Sequence, residues 1–151
     1  MKYRVTDSPT AQEKDFVYQE LLKYNLERIE DKNPKELCIF LEDESGTITA
    51  GLMGSTHGYW LKVDYLWVSE KLRGQGIGSK LLQQAEATAV ERGCKYSFLN
   101  TFSFQAPTYY PKLGYVEQFI LNNFPLTSQK HYFTKTLSSD IKKTRLNLQT
   151  I

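Results

Sequence analysis

The sequence predicts a mixed α/β domain, with a mostly antiparallel sheet, one parallel pair and flanking helices. Three observations predict it. A strand-like run, Val63 to Val68, is joined by the glycine-rich stretch Arg73-Gly74-Gln75-Gly76-Ile77-Gly78 to a strongly periodic helix. An apolar run follows that helix, so strand, loop, helix and strand form a unit whose strands should be parallel with a right-handed crossover. The other short strand-like runs are separated by polar turns of hairpin length, which marks antiparallel neighbours.

Taken in order, Tyr3 to Thr6 reads as a short edge strand, and Ser8-Pro9 punctuates it. Thr10-Ala11-Gln12-Glu13 has the form of a capping box, in which the Thr hydroxyl and the Glu carboxylate each satisfy an orphan N–H. A helix should start there. Phe16, Val17, Glu20, Leu21 and Tyr24 recur at helical spacing, and Leu26 and Ile29 predict a second helical piece that ends at Asn33-Pro34. Glu36 to Leu41 reads as a strand, and Glu42-Asp43-Glu44-Ser45-Gly46 as a hairpin turn. Thr47 to His57 is the next strand, with Gly51 and Gly54 marking a bulge or a close backbone approach. Gly58 turns the chain into Trp60 to Val68, whose apolar content predicts a strand buried on both faces.

After the glycine stretch, Ile77, Leu81, Leu82, Ala85 and Ala89 line one helix face, while Lys80, Gln83, Gln84, Glu86 and Glu91 fill the other. Gly93 stops that helix, with Arg92 in the last turn where a cation suits the dipole. Lys95 to Thr101 is the parallel strand. Ala106 to Leu113 should be a short helix opened by Pro107 and closed by Gly114. Tyr115 to Leu121 and Tyr132 to Leu137 make a final antiparallel pair. The expected organisation is one domain over residues 1–137, followed by a tail, 138–151, that carries Lys142, Lys143 and Arg145.

The 151 residues suit one hydrophobic core. With 19 basic against 17 acidic residues, net charge is +2, so no general electrostatic case exists for nucleic-acid or membrane binding. The first residues lack the apolar segment of a signal peptide, and no apolar run approaches the ~20 residues of a membrane span; a cytoplasmic protein is expected. Cys38 and Cys94 lie in apolar neighbourhoods and read as reduced core residues. A cysteine nucleophile would need a histidine partner, and only His57 and His131 exist.

Glycines at the mouth of a helix suit an anion. They bring backbone N–H groups close to a ligand, and the first N–H groups of a helix lack intrahelical partners. The spacing then discriminates between cradles. A dinucleotide fingerprint fails, because its third glycine would fall on Ser79 or Leu81. A Walker A loop fails on order, since Gly78-Ser79-Lys80 is not Gly-Lys-Ser/Thr. Arg73, Gly76 and Gly78 instead fit R/Q-x-x-G-x-G, which resembles the acetyl-CoA diphosphate loop of the GNAT superfamily of CoA-dependent N-acyltransferases. A second stretch, Gln105-Ala106-Pro107-Thr108-Tyr109-Tyr110-Pro111-Lys112-Leu113-Gly114-Tyr115, resembles the family signature A-x-x-F-Y-x-K-x-G-F. Gln105 departs from the more frequent Asn slightly upstream.

The resemblance implies a single domain of that fold, in which the strand before the loop splays from its parallel neighbour. It implies acetyl transfer from acetyl-CoA to a primary amine by direct attack, with no metal. Leu66, Trp67 and Val68 would pair with pantetheine, and a freed N–H there would hold the oxyanion. Arg73, Gly74, Gln75, Gly76, Ile77, Gly78 and Ser79 would grip the diphosphate, while Thr101, Gln105, Ala106, Tyr109, Tyr110 and Lys112 would complete the cofactor site. Tyr110 would be the general acid toward the CoA sulfur. Asp64, the acid inside the strand before the loop, is the candidate general base, with His57 and His131 as rivals. The acceptor would be a small-molecule or peptide amine, and a homodimer is the expected assembly. Two other readings stay open: a non-catalytic acyl-CoA-binding regulator on the same fold, and a nucleotide-binding or interaction module that shares only a glycine-rich turn. The aromatic set Phe98, Phe102, Phe104, Tyr109, Tyr110, Tyr115 and Phe119 suits either core packing or a cage for an alkylammonium group.

Overall fold

The computed structural model describes residues 1–31, 33–105 and 107–138. The chain divides into two compact units, Met1–Lys32 and Asn33–Ile151. In the first, helix α1 spans Ala11–Leu26 behind the predicted capping box. Thr10 Oγ1 accepts from the Glu13 N–H at 3.1 Å, and the Glu13 carboxylate accepts from the Thr10 N–H at 2.9 Å. Two expectations fail here. Residues 3–6 form no strand, and among the described residues 27–31 no second helical piece follows Leu26. The N–H groups of Arg28 and Ile29 both turn onto the Asn25 carbonyl, at 2.9 and 2.8 Å, which closes the helix as a turn.

The second unit is built on six strands, β1 (Lys35–Glu42), β2 (Ile48–His57), β3 (Trp60–Val68), β4 (Tyr96–Phe102), β5 (Val116–Leu121) and β6 (Lys130–Thr136), in sheet order β1-β2-β3-β4-β6-β5. All neighbours are antiparallel except β3 and β4. The fold class is therefore the one the sequence predicts. The β1–β2 turn is organised by Asp43, whose carboxylate accepts from Ser45 Oγ at 2.6 Å and from the N–H groups of Ser45 and Thr47 at 2.9 and 3.0 Å. These bonds, the Ser45 hydroxyl first, hold its carboxyl below the usual range.

Helix α2 (Ile77–Glu91) packs Leu81, Leu82, Ala85 and Ala89 onto β2 and β3, in one core with Leu52, Leu61, Leu99 and Phe133. Burying each such leucine contributes roughly 1.5–3 kcal/mol. Gly93, at φ 94°, stops the helix as predicted. Glu86 corrects the reading of the polar face: it is 2% exposed.

Three further readings change. β3 is buried on one face only, with Leu61 and Val63 inward and Lys62, Asp64 and Tyr65 outward. Helix α2 packs on the face that carries Leu61 and Val63, and the alternate residues point to the other face. Cys38 is exposed, while Cys94 is buried as expected, because alternation along β1 sends Leu37 to the core and its neighbour outward. Of the helix expected over residues 106–113, residues 107–110 form a turn and Pro111–Leu113 one short 3₁₀ segment, so that Pro111 rather than Pro107 stands at the helical start. Gly114, at φ 90°, closes it. The tail from residue 139 and Ala106 lie outside the described residues.

Candidate active site

The strand bearing most of the candidate residues is shaped by a bulge. Met53 pairs with Tyr65 and Gly54 with Val63, which leaves Asp64 as the extra residue on β3. Gly54 permits the approach: a Cβ there would sit 2.2 Å from the Lys62 carbonyl oxygen. Beyond the bulge the inward positions change from Leu61 and Val63 to Leu66 and Val68.

β3 and β4 pair only at Trp60, Leu61 and Lys62 against Tyr96, Ser97 and Phe98. From Val63 onward β3 keeps its ladder to β2 alone, and from Leu99 onward β4 keeps its ladder to β6 alone. Two strand edges thus face each other across a wedge, and Leu66, Trp67 and Val68 line one of them. Their backbone groups on that side are available to a ligand that enters as an added strand.

The glycine stretch closes the β3 end of the wedge. Gly74 and Gly76 adopt φ of 77° and 75°, a region in which a side chain would be strained, and Gly76 occupies the N-cap of α2. The first N–H groups of the helix, from Ile77 on, point out of that end with the positive pole of its dipole. Arg73 Nε donates to the Val68 carbonyl at 3.2 Å, which fixes the loop against the strand. Gln75 Nε2 reaches the Lys71 carbonyl at 3.4 Å.

Across the wedge, the turn after β4 brings up the second motif. Ser79 and Tyr109 hydroxyls lie 2.6 Å apart. The Tyr110 ring sits edge-on to Tyr109 and Tyr115, with centroids at 5.3 and 6.0 Å, and against Phe133 at 5.8 Å. Burial first, and the neighbouring Tyr109 second, raise its phenol above the ordinary tyrosine value, so it carries its proton at neutral pH. Gln105 Oε1 accepts from the Phe102 N–H at 3.0 Å and from Thr101 Oγ1 at 3.4 Å, locking the exit from β4. Lys112 is exposed.

Among the base candidates, Asp64 is exposed, with Lys62 Nζ 3.3 Å from its carboxylate. His57 pairs with Trp60 at the end of β3 where β3 and β4 are still joined, away from the wedge. His131 is buried on β6 opposite Thr101. The aromatic set does not assemble into one cage. Phe98 packs on Trp60, Phe104 stacks on Phe102 at 4.9 Å, Phe119 stacks on Tyr132 at 4.4 Å, and the tyrosines of the second motif form their own group.

One residue behind the site escaped the sequence reading. Glu86 accepts from the Tyr115 hydroxyl at 3.1 Å and from Lys135 Nζ at 2.8 Å, and Ser97 Oγ lies 2.9 Å from the same tyrosine. The signal was present in the spacing, because Leu82, Glu86 and Ala89 fall on one helix face. The Tyr115 phenol is pushed well up, by burial first and by the Glu86 carboxylate second.

The GNAT acetyltransferase family model matches residues 3–115. An acetyltransferase from Agrobacterium fabrum is 33% identical over 117 residues, which cover 78% of this chain and 85% of that protein. A blasticidin-S acetyltransferase from Streptomyces morookaense is 40% identical over 95 residues, 62% of this chain and 70% of its own. The crystal structure of an acetyltransferase from Bacillus cereus superposes with a TM-score of 0.77 at 33% identity, covering 89% of this chain and 98% of that one. By this family match and these similarities, the chain belongs to the GNAT family of acetyltransferases.

Proposed function

We propose that this protein transfers an acetyl group from acetyl-CoA to a primary amine of a small molecule or peptide by direct attack. The observation that carries the reading is the wedge itself. A parallel pair parts at Lys62 and Phe98, with a glycine-capped helix N-terminus at one side and a half-buried, protonated tyrosine at the other.

The residues present fit acetyl-CoA. Positive-φ glycines and unpartnered helix N–H groups suit the diphosphate, and the Arg73 guanidinium adds charge beside it. The free edge of Leu66 to Val68 suits the amide groups of pantetheine, with Thr101, Gln105, Tyr109 and Lys112 on the facing side. A backbone N–H on that edge stabilises the oxyanion, an effect typically worth ~10²–10³ in rate. Tyr110 gives its proton to the leaving thiolate. Against a thiol near ~8.5, an unperturbed phenol near ~10 makes the return transfer uphill by only about 2 kcal/mol; burial adds to that. The blasticidin-S relative supports a small-molecule acceptor.

Calorimetric titration with acetyl-CoA and desulfo-CoA, using NAD and ATP as controls, tests the reading. Both CoA compounds should bind and neither control should. A folded sample that binds no CoA compound would remove the transferase assignment for this site.

A further inference from the structure

Resting on that reading, we infer that His131 and Glu117 form the proton-accepting dyad of the transfer, with His131 Nε2 as the atom that takes the proton of the acceptor ammonium. The two side chains come from adjacent antiparallel strands, β6 and β5. His131 Nδ1 and Glu117 Oε2 are 2.6 Å apart. A carboxylate only accepts, so Nδ1 carries the hydrogen of this bond, and in the neutral form of the ring the lone pair lies at Nε2. The tautomer follows from that hydrogen bond.

Nε2 is the notable atom. His131 is 8% exposed, and Nε2 is buried with no hydrogen-bond partner among the described residues. Such a buried acceptor is costly to leave unpaired, which is the mark of a group kept for something other than packing. His131 lies on β6, one strand beyond β4, at the level where β3 and β4 have parted. His131 stands opposite Thr101, past the last β3–β4 pair at Phe98, on the sheet face of Phe133. The Phe133 ring touches the imidazole at a centroid distance of 6.3 Å and the Tyr110 ring at 5.8 Å, so both proton-handling groups rest on one phenyl. Asp64, by comparison, is exposed and already has Lys62 beside it.

The protons balance as follows. The ammonium gives one proton to Nε2, directly or through one water, and the imidazolium is held by the Glu117 carboxylate. The freed amine lone pair forms the N–C bond at the thioester carbonyl carbon, whose π electrons move to oxygen. On collapse the C–S bond breaks and its electron pair leaves on sulfur, which takes the Tyr110 proton. The resulting phenolate takes the second proton from nitrogen. The products are the amide, the thiol and one proton, which His131 returns to water.

The test uses three probes with acetyl-CoA: spermidine and ethanolamine, whose amines are ammonium ions at neutral pH, and hydroxylamine, which is largely unprotonated there. His131→Gln should lower kcat with an alkylammonium probe about 100-fold, with the hydroxylamine rate and acetyl-CoA affinity nearly unchanged. Glu117→Gln, at an exposed position that does not threaten folding, should give a loss of about 10-fold with the same selectivity. Added imidazole should restore part of the rate of His131→Ala. Equal losses with all three probes, unchanged rates, or loss of acetyl-CoA binding in both variants would overturn the dyad while wild-type turnover upholds the transferase. A wild type that acetylates none of the probes overturns the dyad together with the reading it rests on.

Discussion

The Ser79 and Tyr109 hydroxyls, 2.6 Å apart, tie the first turn of α2 to the turn that follows β4. They do so across Gly78, where a Cβ would stand 3.2 Å from the Tyr109 hydroxyl and 3.8 Å from Val68 Cγ2. Gly78 is helical, so it is needed for the approach rather than for its dihedral angles. Gly78→Ala should push the phenol aside and crowd the helix mouth. The expected outcome is about 10-fold weaker acetyl-CoA binding by calorimetry, equal to about 1.4 kcal/mol. An unchanged affinity would show that the cradle tolerates a methyl group there.

Tyr110→Phe separates chemistry from packing. Its ring contacts with Tyr109, Tyr115 and Phe133 survive the loss of the hydroxyl. Turnover should fall by about 10²–10⁴-fold while acetyl-CoA affinity stays the same. Equal rates for the two proteins would assign Tyr110 to packing alone.

Alkaline stability should reflect two phenols, the buried Tyr115 and the half-buried Tyr110. The Tyr110 and Tyr115 values are both raised in the folded chain, so above pH 10 the unfolded chain holds fewer protons than the folded one. Their contribution is full below about pH 10 and is lost as pH rises toward the folded values, at up to about 1.4 kcal/mol per pH unit for each residue. Urea denaturation between pH 9 and 11 should show this fall, and Tyr115→Phe should make it shallower. A slope that the substitution leaves unaltered would place the alkaline loss elsewhere.

The parts of the fold that local chemistry dictates were legible. The capping box at Thr10 and Glu13, the hairpin turn at Asp43, the bulge at Gly54 and the helix stop at Gly93 each follow from a residue type needed at one position. What was not legible depended on partners distant in sequence. Glu86 reads as a solvent-facing acid until Lys135 and Tyr115 are brought to it by β6 and the turn before β5. The 106–113 segment reads as a helix until its backbone is seen to turn at Tyr110, whose carbonyl takes the N–H groups of Leu113 and Tyr115. At the site, the cradle was marked by glycines in the chain. The His131–Glu117 pair was not, because it exists only in the register of β5 against β6.

Glu86 offers the sharpest separation of charge from shape. Its side chain is 3% exposed and that of Lys135 is 20% exposed, so Glu86→Leu should strand a largely buried ammonium and cost about 3 kcal/mol in urea denaturation. Tyr115 would keep its bond to Ser97, so the tyrosine beneath Tyr110 should hold its place. Replacing both partners, Glu86→Leu with Lys135→Met, removes the stranded charge and should recover most of the loss. If the double variant is instead as unstable as the single one, the cost comes from the Tyr115 hydroxyl losing its acceptor and not from the ion pair. Glu86→Gln then decides between them, since its amide oxygen still accepts from Tyr115 while the charge and the acceptor facing Lys135 are both gone.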